Sequence, residues 1–92
     1  MKLAYPIVLT PDEVGYVVFV PDMNINTEGH DIAEAIEMAS DAISLCGISM
    51  QDIGRDIPAP SAAPPQCTEG EITAFALVDF DAYRQTHEQR AV

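Results

Sequence analysis

Between Gly15 and Gly47 the chain changes hydrophobic period from two to about 3.6 with only a short crossing segment between the two patterns. The stretch reads GYVVFVPDMNINTEGHDIAEAIEMASDAISLCG. Tyr16-Val17-Val18-Phe19-Val20 is β-branched and aromatic throughout, which predicts a strand at least partly covered on both faces. Pro21 removes a ladder donor, so the regular strand is expected to end there. Asp31 then stands three residues before Glu34, ahead of a helical apolar pattern, as an N-cap with an acidic N3 residue does. The helix is expected to start at Asp31. Ile32, Ala35, Ile36, Ala39, Ala42, Ile43 and Cys46 share one stripe, with Glu34, Glu37, Asp41 and Ser44 on the opposite side. One face packs on a sheet and the other is an anionic ridge; Gly47 suits the left-handed position that ends a helix.

The flanking segments supply strands for this helix to cover. Residues 3–10 form an apolar run, separated from the Tyr16 strand by Thr10-Pro11-Asp12-Glu13 and Gly15, which predicts a hairpin. Pro6 inside the first strand is confined to an edge or to an unpaired position. Residues 25–28 are long enough for a short third strand, and residues 48–53 for a ragged helical turn before Gly54-Arg55-Asp56. Residues 57–70 carry Pro58, Pro60, Pro64 and Pro65 and read as an extended surface connection. Residues 71–79 make a last strand, apolar in both registers. Asp81 is placed to cap a short helix over residues 82–90, which holds Arg84, His87 and Arg90.

The predicted class is therefore α+β, in the order β-β-β-α-β with a short C-terminal helix, as a single domain over residues 1–92. One helix covers one sheet face. The other face has no helix, so a homo-oligomer, dimer or higher, is expected to cover it.

Charge limits the partners. Fifteen Asp and Glu stand against four Lys and Arg, a net charge of -11, and such a surface repels nucleic acid. No Lys or Arg occurs between Lys2 and Arg55, an interval that holds Asp12, Glu13, Asp22, Glu28, Asp31, Glu34, Glu37, Asp41 and Asp52. A basic partner is steered towards it. No apolar run reaches the ~18 to 20 residues of a membrane span, and no export signal opens the sequence, so a cytoplasmic location is expected. Cys46 on the packed stripe and Cys67 in the Pro-rich connection read as unpaired thiols.

Catalytic signatures are missing from the sequence. Two-metal phosphodiester cleavage needs convergent carboxylates, one of them in the middle of the first strand, and residues 3–10 contain no acid. Asp22, Asp79 and Asp81 fall at strand ends, where turn and cap roles suit them. His30 and His87 are far apart, and the sequence holds no GxSxG, phosphate-cradling glycine loop or HExxH. No metal or cofactor is expected, and a binding role follows.

Several motifs in order carry a family resemblance: Tyr5-Pro6 before an apolar run, Gly15-Tyr16 leading to Phe19-Val20-Pro21-Asp22, and Asn26-Thr27-Glu28-Gly29 before Ala33-Glu34-Ala35-Ile36-Glu37-Met38-Ala39. Asp41-Ala42-Ile43, Ile57-Pro58-Ala59-Pro60-Ser61 and Leu77-Val78-Asp79 through Tyr83-Arg84 continue the series. In this order and spacing the chain resembles the HicB-like antitoxins of type II toxin-antitoxin pairs over almost its whole length. The resemblance implies a partial ribonuclease-H-like domain without enzymatic activity, which binds a small basic HicA-like toxin that cleaves mRNA. Family members commonly carry a further C-terminal DNA-binding module with which they repress their operon. The sequence stops at Arg90-Ala91-Val92, about where that module begins, so a toxin-binding domain that does not itself contact nucleic acid is expected.

The acids expected to supply the attractive field are Asp12, Glu13, Asp22, Glu28, Asp31, Glu34 and Glu37, with one or two making charge-assisted hydrogen bonds to the toxin. Two other classes stay open: a degenerate ribonuclease-H-like, metal-dependent nuclease using Asp79, and a structural module that only oligomerises.

Overall fold

Two prolines decide how far the first hairpin zips. In the computed structural model, which describes residues 1–90 and side chains as far as Thr86, β1 (Lys2–Pro11) pairs antiparallel with β2 (Tyr16–Val20) from Pro11↔Tyr16 to Val8↔Phe19. The Asp12 N–H donates to the Gly15 carbonyl at 2.8 Å, so the even residues of β1 make the hydrogen-bonded pairs on this side. Carried further, the same register would set Pro6 against Pro21, and neither has an N–H. The ladder stops short of that pair. The chain turns instead through Met23 and Asn24, whose N–H groups donate to Val20 and Pro21, with Asn24 left-handed at φ 53°.

The third strand, β3 (Ile25–Gly29), returns along β2, and α1 (Ile32–Asp52) then crosses the sheet to β4 (Ile72–Asp79), which pairs antiparallel with β1 along its full length. The sheet order is β3-β2-β1-β4, and α2 (Phe80–Arg90) follows β4. The expected order of elements and the α+β class are thus observed: four antiparallel strands and two helices.

The core lies between α1 and one sheet face. Tyr5, Ile7 and Leu9 of β1, Val18 and Val20 of β2, and Ala76 and Val78 of β4 bury against Ala35, Ala39 and Ile43 of the helix. The two alanines let the helix sit close, and full burial of Ile43 is worth roughly 2 kcal/mol. Of the expected stripe, Ile32 is exposed, while Ser44, expected on the polar side, is buried. Its hydroxyl donates to its own helix, at the Ser40 carbonyl (2.7 Å), and so needs no solvent.

Gly47 does not end the helix. It is a buried position inside α1 where a Cβ would lie 2.2 Å from Cε1 of Phe80, so the absent side chain makes room for that ring. Phe80 in turn meets Tyr5 edge-on, with centroids 6.3 Å apart. The helix stops one and a half turns later. Ile53 is the C-cap, and Gly54 at φ +78° takes the left-handed position, its N–H donating to the Gln51 carbonyl. The segment 48–53, expected as a separate turn, belongs mostly to α1.

The next helix is also capped differently from expectation. The Ala82 N–H donates to Asp79 at 3.1 Å, so Asp79 rather than Asp81 caps α2. That bond, followed by the nearby N-terminal ammonium, holds the Asp79 carboxyl below its usual pKa. Arg84 ties α2 to the end of α1 through Asp52 (3.0 Å), the Ile48 carbonyl and Gln51. The expected cationic side chains His87 and Arg90 lie outside the described side chains, and residues 91–92 outside the described residues.

Candidate functional site

The hairpin turn, the end of β3 and the start of α1 meet at one end of the sheet. Asp12, Val14, Tyr16, Glu28, Gly29, His30, Glu34 and Met38 line an open hollow there, with room of about 200 Å³. A second hollow of about 320 Å³ follows along the outer face of α1, lined by Glu37, Met38, Ser40, Asp41, Ser44 and Tyr83. Met38 belongs to both, so the two make one anionic strip from the hairpin to α2.

Local chemistry builds the first hollow. Asp12 turns the hairpin by accepting from the N–H groups of Val14 (3.0 Å) and Gly15 (2.9 Å). Gly29 lets the helix start approach the strand, since a Cβ there would lie 2.5 Å from the Ala35 nitrogen. Asp31 caps α1 by accepting from the Glu34 N–H at 2.7 Å, as expected. Glu34 reaches back to His30 rather than to the N-cap residue. Its Oε1 accepts from the His30 N–H at 2.8 Å and lies 2.8 Å from His30 Nδ1. The side-chain bond to Glu34 raises the His30 pKa, and the His30 backbone N–H is the main cause holding Glu34 below the ordinary carboxyl range.

The seven acids singled out in the sequence therefore divide. Asp12, Asp31 and Glu34 are committed to backbone N–H groups. Asp22 lies at the opposite end of β2, where it accepts from Ser61 twice, from its N–H (2.8 Å) and its hydroxyl (2.6 Å). It fastens the Pro-rich connection beside Tyr5, whose hydroxyl donates to the Pro58 carbonyl at 2.6 Å. Burial, then the charge of Asp22, raises the Tyr5 pKa. Asp22 is a latch, remote from the other six acids.

Glu13, Glu28 and Glu37 make no hydrogen bond or ion pair with the described residues, and neither does Asp41. Asp41 was assigned to the anionic ridge in the sequence but not to the site; its neighbourhood with Glu37 and Tyr83 depends on how α2 packs. Among the described residues no three His, Cys, Asp or Glu side chains are grouped so as to hold a metal ion. Within the same described residues no helix is long and apolar enough to cross a membrane.

No protein-family model and no curated protein matches the sequence. Solved structures match the fold, among them chains of two toxin-antitoxin complexes. A chain of a toxin-antitoxin complex from Streptococcus pneumoniae superposes with a TM-score of 0.73 at 20% identity, covering 90% of this chain and 73% of that one. A chain of a HicA3 and HicB3 toxin-antitoxin complex gives 0.64 at 20% identity, covering 84% of this chain and 99% of that one. At that identity the likeness is one of fold.

Proposed function

We propose that this chain is a non-catalytic antitoxin, a single domain of partial ribonuclease-H-like fold that neutralises a small basic, mRNA-cleaving toxin of the HicA type in the cytoplasm and self-associates. The carrying observation is the acidic strip that runs from the end of β3 along α1: Glu28, Glu37 and Asp41 stand beside two connected hollows and make no hydrogen bond or ion pair with the described residues. Carboxylates left unpaired in this way offer charge-assisted hydrogen bonds to a guanidinium or ammonium. They also supply a field that accelerates encounter with a basic surface. The fold likeness to chains of two toxin-antitoxin complexes supports the same reading, as does the family resemblance of the motifs. Repression of an operon would need a DNA-binding module in addition to these residues.

The geometry supports a narrower set of contact acids. Asp12 and Glu34 line the first hollow and Asp31 caps the helix whose first turn holds Glu34, while Glu28, Glu37 and Asp41, with Glu13 in the hairpin turn, make the contacts. The decisive experiment co-purifies the chain with the small basic protein encoded beside it and measures association at several ionic strengths. Reversing Glu28, Glu37 and Asp41 together to Lys is expected to slow association on the order of ten- to a hundredfold and to flatten its salt dependence. Unchanged association would remove the acidic strip from the mechanism. Cleavage of RNA by the purified chain alone, lost on Asp79→Asn, would favour a nuclease instead.

A further inference from the structure

We infer that two copies of this chain join through β4, edge to edge and antiparallel, so that two four-stranded sheets become one of eight strands. The inference deepens the self-association just proposed by naming its surface. Pairing parity fixes which groups are available. The even residues of β1 bond towards β2, so its odd residues, Leu3, Tyr5, Ile7 and Leu9, bond to their partners Val78, Ala76, Ala74 and Ile72. Thr73, Phe75 and Leu77 therefore aim their N–H and C=O groups away from β1, at the free edge. No turn or loop of the described residues bonds to them.

This edge lacks the devices that keep an exposed strand from pairing. It is eight residues long, and Ile72–Val78 contains no proline and no charged residue, although the chain carries fifteen acids. Its side chains on the helix-free face are apolar and open, Phe75 at 42% and Leu77 at 67% exposure. The other edge is built the opposite way, with five residues and an exposed Glu28.

The occupant is set by charge. A strongly basic partner gains nothing from a neutral strand, whereas two copies of a chain of net charge -11 repel least where neither carries an acid. Charge also selects the register. Centring the two-fold axis on Phe75 would oppose Glu71 to Asp79 of the second copy. Centring it on Ala76 instead opposes Phe75 to Leu77 and the Thr73 hydroxyl to the Asp79 carboxylate. Both registers keep every opposed pair on a common sheet face, and the second brings an apolar Phe75–Leu77 pair together at each side of the axis without opposing two acids within the strand. Eight strands remain below the roughly ten at which open sheets curl or split.

Sedimentation of the full chain from micromolar to millimolar concentration, with residue-resolved amide exchange on the same samples, tests this. A species of twice the 10.0 kDa chain mass is expected. The Thr73, Phe75 and Leu77 amides should slow as that species forms, while those of Ala74, Ala76 and Val78 are slow throughout. Leu77→Lys and Thr73→Lys change exposed side chains, so each should leave the circular dichroism intact while weakening the dimer at least about tenfold. A dimer whose three odd amides stay fast would overturn the β4 edge and leave self-association standing; a monomer at millimolar concentration would overturn both. Protection that arises only on adding a basic partner would assign the edge to that partner. The combined Glu28→Lys, Glu37→Lys and Asp41→Lys variant should still form the dimer, which separates this result from the toxin-binding test.

Discussion

The two edges of the sheet are built for opposite company. At the β3 edge the strand is short, Glu28 is exposed, and His30 and Glu34 at the entry to α1 line an acidic hollow with it. At the β4 edge the strand is long, uncharged from Ile72 to Val78, and bears apolar Phe75 and Leu77 on its helix-free face. One surface repels a copy of itself and attracts cations; the other does neither. The difference teaches that a large net negative charge need not be spread evenly over a sheet: the acids gather at one edge, and the run Ile72–Val78 at the other carries none.

The largest blow to this division comes from Gly29. A methyl group there would lie 2.5 Å from the Ala35 nitrogen and 2.6 Å from its Cα, both backbone atoms that cannot swing aside. Gly29→Ala is expected to cost about 3 kcal/mol, read as a lower denaturant midpoint. It should open the acidic hollow and weaken a basic partner, yet leave dimerisation of the folded fraction as it was. Equal losses at both surfaces would show that the two edges are not independent.

Salt sharpens the contrast without changing a residue. Raising ionic strength from 0.05 to 0.5 M is expected to weaken capture of the basic partner by roughly tenfold or more, because long-range attraction to the strip is screened. Dimerisation through the neutral edge should stay constant or strengthen. A dimer that dissociates in salt would place its contact among charged residues instead.

Asp22 gives a smaller and more selective effect. Asp22→Ala releases the N–H and hydroxyl of Ser61, and loss of the two exposed bonds should cost about 1–2 kcal/mol. Association with the partner should not change. A tenfold loss of binding at unchanged stability would return Asp22 to the contact surface.

Which acid serves which purpose was only partly legible in the sequence. The period change, the Tyr16–Val20 strand and the Asp31 cap are local features, and they appear where the pattern put them. Gly47 reads as a terminator because the ring it accommodates belongs to Phe80, thirty-three residues later. Asp22 resembles the other acids because its partner, Ser61, is thirty-nine residues away. Asp79 lost the cap to Asp81 in the sequence reading because the strand runs directly into α2 with no intervening turn. The direction of the β4 amides follows from Pro6 and Pro21 only once the register is known.

The smallest expected effect is one of pH, and it also divides the two edges. Glu34 raises the pKa of His30, so the imidazolium's contribution to stability is fully present below the ordinary value near 6.5 and is lost as pH rises through the higher folded value. Glu34 itself is lowered, so its contribution is present above the ordinary carboxyl value and lost as pH falls through its folded one. The ion pair is complete only between those two folded values. His30 is largely exposed, so solvent screens the pair and the gain in stability is small. The ring titration followed by NMR should nevertheless lie above 6.5 and fall back towards it in Glu34→Gln. Losing the His30 proton makes the hollow more negative by one charge, so a basic partner should bind slightly better just above that transition. No group between Ile72 and Val78 titrates, so dimerisation should be flat across the same range; a dimer that follows the His30 curve would put the hairpin end, not β4, at the contact between copies.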